Sequence, residues 1–169
     1  MTEVAVYVAL GSNLADPARQ VEQACTELAR LPDSRLTALS GLYLSEPEGF
    51  ADQPDYVNAV AGLLTHLSPR ALMSALLDIE SRHGRDRAFK NAPRTMDLDL
   101  LLYDGLVMHG PGLTLPHPRM VQRAFVLLPL AEIAPDALIP GHGRVDVCLS
   151  RLSTGNIARL ATPAGAAVF

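Results

Sequence analysis

Cysteine is nearly absent from the chain, with only Cys25 and Cys148 in 169 residues. Two thiols so far apart fit no zinc or dithiol redox spacing, and both are expected to be reduced, as suits a cytoplasmic protein. Long hydrophobic runs are missing as well. None approaches the ~20 residues that span a bilayer as a helix, so no membrane partner is expected. The opening residues Met-Thr-Glu-Val-Ala-Val-Tyr-Val carry no basic segment and alternate like a strand at once, which argues against a signal peptide. Positive charge is in the minority, 14 Lys and Arg against 18 Asp and Glu, for a net charge of −4. A general nucleic-acid binder presents a basic face, and that class is set aside. Tryptophan is absent and aromatics make up only 5%. Neither a P-loop nor a Gly-x-Gly-x-x-Gly turn occurs, which removes the two commonest nucleotide signatures.

What is present is a 49% hydrophobic chain whose length suits one domain over residues 1–169, burying roughly 70% of its unfolded surface. Residues 4–10 are apolar and β-rich enough for a central strand, which Gly11-Ser12-Asn13 ends in a tight turn. Asp16-Pro17 reads as an N-cap followed by proline at the first helical position. Val21, Ala24, Cys25, Leu28 and Leu31 then recur at helical spacing, and Pro32-Asp33 stops them. Strands are expected over 36–44 and 56–64. Ser68-Pro69 repeats the cap signal ahead of a helical face of Leu72, Leu76, Ile79 and His83, with Gly84 as C-cap. A strand over 97–103 leads through an Asp104-Gly105 hairpin turn into 106–108.

The first 103 residues thus read β-α-β-β-α-β. The fold expected is α+β, a ferredoxin-like antiparallel sheet with two helices on one face and the first and fourth strands side by side at the centre. The C-terminal hairpin through Asp104-Gly105 is followed by a loop at 109–118 and by short helices over 119–130 and 147–152. Residues 162–169, rich in Ala and Gly, read as a frayed tail.

The chemistry concentrates in residues 82–103. Arg82, Arg85, Arg87, Lys90 and Arg94, five of the fourteen basic residues, fall within one stretch in which Asp86 is the only acid. This is either a solvated charged loop or the contact surface for a small polyanion. The next strand carries Asp97 and Asp99, two apart and so on one face, roughly 7 Å apart at about 3.3–3.4 Å per residue. Carboxylates in a leucine-rich strand are costly to bury without a compensating cation. That cation is Arg85 or Arg94, or a metal. Mg²⁺ commonly takes one or two carboxylates and leaves positions for water and phosphate, and two ions about 3.5–4 Å apart would clamp a displacement at phosphorus. His117, held between Pro116 and Pro118, is either a turn histidine or a phosphate donor. Arg119 and Arg123 share a helical spacing. Tyr56 and Phe125 look like core residues by type, yet lie beside the polar Asn58 and Arg123.

Taken together, these motifs resemble a known family. Lys90-Asn-Ala-Pro-Arg-Thr-Met-Asp-Leu-Asp-Leu-Leu101 is similar to the signature of the 6-hydroxymethyl-7,8-dihydropterin pyrophosphokinases of folate biosynthesis. The likeness extends to Gly11-Ser12-Asn13, to Asp52-Gln-Pro-Asp-Tyr-Val-Asn58, to the spacing of Glu80, Arg85 and Arg87, to Pro116-His117 and to Arg123-Ala-Phe125. It covers about residues 4–140. The resemblance implies transfer of the β,γ-pyrophosphoryl group of ATP to the pterin hydroxymethyl oxygen, with release of AMP. In that reading Asp97 and Asp99 are ligands of two Mg²⁺ ions and act in catalysis with Arg85 and Arg94. Glu80, Arg87, Arg94, Thr114, His117 and Arg123 match ATP and phosphate positions. Tyr56 and Phe125 match the aromatic pair around the pterin, Asn58 a residue on its edge, and Ser45 and Glu48 the loop that completes its pocket. The partners implied are ATP and a reduced pterin, acting on a monomer. No side chain stands out as the general base. Asn91, Gly112 and Pro118 depart from residues found in some members. The competing readings are a kinase that moves only the γ-phosphoryl group and a non-catalytic nucleotide-binding module.

Overall fold

The stretch from Val4 to Ser12 has no charge and three valines, a composition that fits a pleated, buried surface, and it forms strand β1 (Val4–Ser12). The computed structural model describes residues 2–14, 16–46, 54–83 and 96–160. Within them β1 is followed by α1 (Pro17–Leu28), β2 (Ser34–Leu39), β3 (Tyr43–Ser45), β4 (Tyr56–Thr65), α2 (Pro69–Arg82) and β5 (Asp97–Tyr103). Next come β6 (Met108–Gly110), β7 (Leu113–Leu115), a 3-10 turn at Met120–Gln122 and α3 (Ala124–Ile133). β8 (Leu138–Ile139), β9 (Gly143–Arg144), α4 (Val145–Ser150) and β10 (Ala158–Arg159) complete the order. The architecture is α+β.

β1 pairs antiparallel with β4 on one side and with β5 on the other. The far edge of β4 takes β2 and then β3 in series. The expected contact between first and fourth strands is present, but their central position is not: β1 and β4 occupy the centre and β5 the flank.

Alternation along β1 divides the core. Val6, Val8 and Leu10 join Val21, Ala24, Cys25 and Leu28 of α1 and Leu72, Leu76 and Ile79 of α2 on one face. On the opposite face Ala9, Val60 and Leu101 pack with Val126, Leu127 and Leu130 of α3 and with Val145 and Cys148 of α4. The two early helices therefore share a face as expected, and the C-terminal helices cover the other.

The start of α2 follows its sequence signal: Ala71 N–H donates to Ser68 Oγ at 3.2 Å. A cap contributes about 1 kcal/mol, whereas each fully buried Leu or Ile contributes about 1.5–3 kcal/mol, so burial dominates. Asp16 occupies the cap position of α1, but its backbone is left-handed at φ 59 and its side chain makes no capping bond.

Other expectations fail where long-range contacts decide. The strand expected over 36–44 is broken into β2 and β3, because Ser40 Oγ accepts the Val60 N–H and donates to Gly41 O. Asp104-Gly105 does turn the chain, with Leu106 N–H donating to Tyr103 O, yet the residues after the turn do not pair back on β5. Instead the supposed loop at 109–118 holds most of the β6–β7 hairpin, and Gly112 at φ 75 supplies the left-handed residue at its tip. The helix expected over 119–130 is a 3-10 turn and then α3, divided at Arg123, whose backbone is extended. That expected over 147–152 begins two residues earlier as α4. Gly84 and the tail at 162–169 lie outside the described residues. Among the described residues no helix is long and apolar enough to cross a membrane.

Candidate active site

A gap opens on the α3 face of the sheet because the end of β1 presents only the small residues Ala9 and Gly11 there, beyond Tyr7. Gly11 is not a turn residue, as its sequence context suggests, but part of the strand. Its partners are Asn58 on β4 and Asp97 on β5. Two residues earlier Ala9 pairs with Val60 and Asp99. Partners across a sheet share a face, so the small residues of β1 form a floor between Asn58 on one side and the two carboxylates on the other.

This floor belongs to a cavity of about 280 Å³ whose walls include Ser45, Tyr56, Asn58, Asp97, Asp99 and Phe125, together with Arg123. Phe125 and Arg123 enter from the start of α3, and the Arg123 guanidinium carbon stands 5.6 Å from the centre of the Phe125 ring, within cation–π range. Asn58 is buried, and its amide donates to Ser45 Oγ at 2.7 Å. The amide oxygen lies on the Gly11 side: a Cβ at Gly11 would come within 3.4 Å of it. Asp97 and Asp99 are half-buried.

Three expected residues stand outside this cavity. Glu80, 4% exposed, accepts the Leu98 N–H at 2.7 Å, so it grips the strand backbone midway between the two aspartates. Thr114 is paired with His109 in the β6–β7 hairpin. His117 donates its backbone N–H to Leu101 O at 2.9 Å, and its Nδ1 accepts the Arg119 N–H at 3.2 Å. An acceptor Nδ1 means that the imidazole proton resides on Nε2. Burial pushes the His117 pKa down; Asp99 opposes this, Arg123 and Arg119 add to it, and the net shift is downward. The ring is therefore held neutral, a donor through Nε2, close enough to Asp99 and Arg123 to feel both charges. Glu48, Arg85, Arg87 and Arg94 lie outside the described residues.

Sequence reasoning missed Ala9, Gly11 as a floor, and Glu46, which also lines the cavity. For Gly11 a signal existed, since glycine inside a strand often marks a close approach by a ligand or another backbone. Among the described residues no group of three or more His, Cys, Asp or Glu is placed to hold a metal. Two carboxylates are nonetheless a fitting donor set for Mg²⁺, which fills its remaining positions with water and substrate phosphate.

Comparisons with known proteins point to one family. A model of the 7,8-dihydro-6-hydroxymethylpterin-pyrophosphokinase family matches residues 7–135. A 2-amino-4-hydroxy-6-hydroxymethyldihydropteridine pyrophosphokinase of Pseudomonas aeruginosa is 48% identical over 155 residues, 92% of this chain and 96% of that protein. Its namesake in Haemophilus influenzae is 44% identical over 137 residues, 81% of this chain and 86% of that one. Among solved structures, wild-type Plasmodium falciparum HPPK-DHPS with pteroate matches 93% of this chain with a TM-score of 0.75 at 11% identity. That likeness is one of fold alone, and this chain spans 48% of the larger protein. With the match running from within β1 to just beyond α3, and relatives aligned over almost their whole length, the chain belongs to the 7,8-dihydro-6-hydroxymethylpterin-pyrophosphokinase family.

Proposed function

We propose that the protein transfers the pyrophosphoryl group of ATP to the hydroxymethyl group of 6-hydroxymethyl-7,8-dihydropterin, giving AMP and the pterin diphosphate in folate biosynthesis. One observation carries this reading: a single cavity joins two chemistries, with Asp97 and Asp99 on one side of Gly11 and Asn58 and Tyr56 on the other. A flat, amide-rich heterocycle gains from the aromatic faces of Tyr56 and Phe125. Its polar edge, once buried, needs partners, and Asn58 and Ser45 supply them. The resemblance assigns Glu48 to the pterin as well.

In the reaction the hydroxymethyl oxygen forms a bond to the β-phosphorus of ATP while the bond from that phosphorus to the α,β-bridging oxygen breaks. AMP leaves with the bridging oxygen, and the hydroxyl proton is released. Such a displacement requires in-line placement and neutralisation of charge rather than covalent catalysis. Mg²⁺, held as two ions by Asp97 and Asp99, would neutralise phosphate charge when bound. Arg123 and the Nε2–H of His117 face the same polyanion, and the motif assigns Arg85, Arg87 and Arg94 to it as well. Glu80 serves the ATP side by fixing the backbone between the metal-binding carboxylates, and the resemblance assigns Thr114 to ATP as well. The order of β2/β3, β4, β1 and β5 supports a ferredoxin-like sheet. Free, buried Cys25 and Cys148 support a reducing, cytoplasmic setting. The reading takes the protein as a monomer acting on two small molecules.

The test is to mix the protein with Mg·ATP and the reduced hydroxymethylpterin and identify the nucleotide released. AMP in equal amount to pterin diphosphate is expected; ADP, or no pterin-dependent turnover, overturns the reading. A second expectation concerns Phe125→Ala. Stacking of a base on an aromatic side chain is worth about 1–3 kcal/mol, so the Kd for the pterin should rise roughly 5- to 150-fold, measured by calorimetry, while the KM for ATP changes little.

A further inference from the structure

Glu132 lies on α3, two turns beyond Phe125, away from the reacting groups. Its carboxylate is nevertheless a junction of three chain segments. Gly41 N–H, at the break between β2 and β3, donates to both of its oxygens at 3.1 Å. The Tyr43 hydroxyl donates to Oε1 at 2.5 Å. Arg159 of β10 approaches Oε2 at 3.5 Å. Partial burial pushes the Glu132 pKa up, but hydrogen bonds from Tyr43, Gly41 and Arg159 outweigh it and hold the carboxyl below its ordinary value. Burial, together with the bond to Glu132 and its charge, pushes the Tyr43 phenol up to about 12. The junction is thus an ionised carboxylate gripped by neutral and cationic donors.

β3 needs such support. It has three residues, and strands so short have few ladder bonds of their own. β10 adds a second edge, pairing Ala158 with Leu44 and Arg159 with Tyr43, and Leu160 N–H donates to Leu42 O at 2.7 Å. At the end of β3 stands Ser45, whose Oγ receives the Asn58 amide at 2.7 Å; Tyr43 O receives the same amide at 3.5 Å. The orientation of Asn58, and hence the oxygen it turns toward Gly11 and the cavity, therefore depends on where β3 lies. Glu132 also shares its helix with Phe125, so one carboxylate ties the hydrogen-bonding wall of the cavity to its stacking wall.

We propose that Glu132 is a positioning residue for pterin recognition, a clasp through which α3 and the C-terminal strand β10 set β3, Ser45 and Asn58 against Phe125. The proposal rests on the pterin pyrophosphokinase reading above. It gives the C-terminal strand, which lies beyond the part of the chain matched by the family model, a role in substrate affinity rather than in the chemical step.

The experiment compares wild type with Glu132→Gln, Tyr43→Phe, the double variant, and Arg159→Ala at the surface. Steady-state KM for the pterin and for ATP, kcat, and the melting temperature are read for each. Bonds to a charged acceptor rank among the stronger ones, and Glu132→Gln is expected to raise the pterin KM about tenfold with the ATP KM changed less than about twofold. Arg159→Ala, which removes an exposed partner, is expected to shift the same ratio in the same direction by about two- to threefold. Tyr43→Phe should add little to Glu132→Gln, because both act through one junction. Equal increases in the two KM values, additive effects of Glu132→Gln and Tyr43→Phe on the pterin KM, or a lower melting temperature with pterin KM unchanged in Glu132→Gln and Arg159→Ala would each overturn the clasp while leaving the enzyme reading intact. If Glu132→Gln does not fold, Arg159→Ala and Tyr43→Phe decide by the same ratio. A wild-type protein with no pterin-dependent AMP release overturns both.

Discussion

Asp97→Asn and Asp99→Asn are each expected to lower the rate of AMP formation by at least about 10³-fold, with melting temperatures within a few degrees of wild type. The substitution keeps the shape of the side chain and removes only its charge. In the proposed function, charge is what the position requires. Each carboxylate projects from β5 over the small floor of β1, Asp97 beside Gly11 and Asp99 beside Ala9, on the face opposite the buried Leu98 and Leu100. A divalent ion acting on phosphoryl oxygens supplies several kcal/mol of transition-state stabilisation, and each 1.36 kcal/mol is a factor of ten in rate. Losing half of a two-carboxylate donor set therefore costs orders of magnitude. Stability should hold because the strand is fixed by β1 on its edge, by Leu98 and Leu100 in the core, and by Glu80 on its backbone. The rates are read from nucleotide chromatography and the stability from calorimetry. Turnover within tenfold of wild type in both variants would remove the metal assignment, and a large loss of stability would mean that the carboxylates serve the fold.

The parts of this site that were legible in the sequence are those governed by local spacing. Asp97 and Asp99 share a face because they are two apart on a strand, and α2 begins at Pro69 because Ser68 caps it. Tyr56 and Asn58 fall in the strand expected over 56–64, and that strand is β4. What brings these pieces together was not legible without the family likeness, since Ser45, Asn58, Gly11, Asp97 and Phe125 lie on five different elements. The break between β2 and β3 was invisible for a similar reason. It is set by Val60 bonding Ser40 and by Glu132 bonding Gly41, partners 20 and 91 residues away. The β6–β7 hairpin hid in a Gly- and Pro-rich stretch, where composition suggested a loop although Leu113 and Leu115 are buried. In each case a distant contact overrode the local signal.

The second large effect is expected at Gly11, where sequence reasoning found a turn and the fold has a floor. The backbone there is ordinary strand, so a side chain is permitted by conformation and excluded only by what occupies the space. An added Cβ would lie 3.4 Å from Asn58 Oδ1 and 3.9 Å from Tyr56 Cδ1, tight but tolerable, so Gly11→Ala should raise the pterin KM only about threefold. Gly11→Val extends two further methyl groups into the volume between Asn58, Tyr56 and Phe125. A displaced heterocycle forfeits stacking worth about 1–3 kcal/mol and leaves polar groups unpaired at about 1–3 kcal/mol each. Together these predict a rise in pterin KM of at least about 100-fold. Valine favours a strand and glycine weakens one, so the melting temperature should stay level or increase. Activity and stability are thereby driven in opposite directions by one substitution, a pattern that general damage to the fold does not produce. A Gly11→Val protein with a pterin KM within threefold of wild type would mean that the ring binds elsewhere. A graded loss through Ala to Val, with the fold intact, would assign the gap above β1 to the pterin.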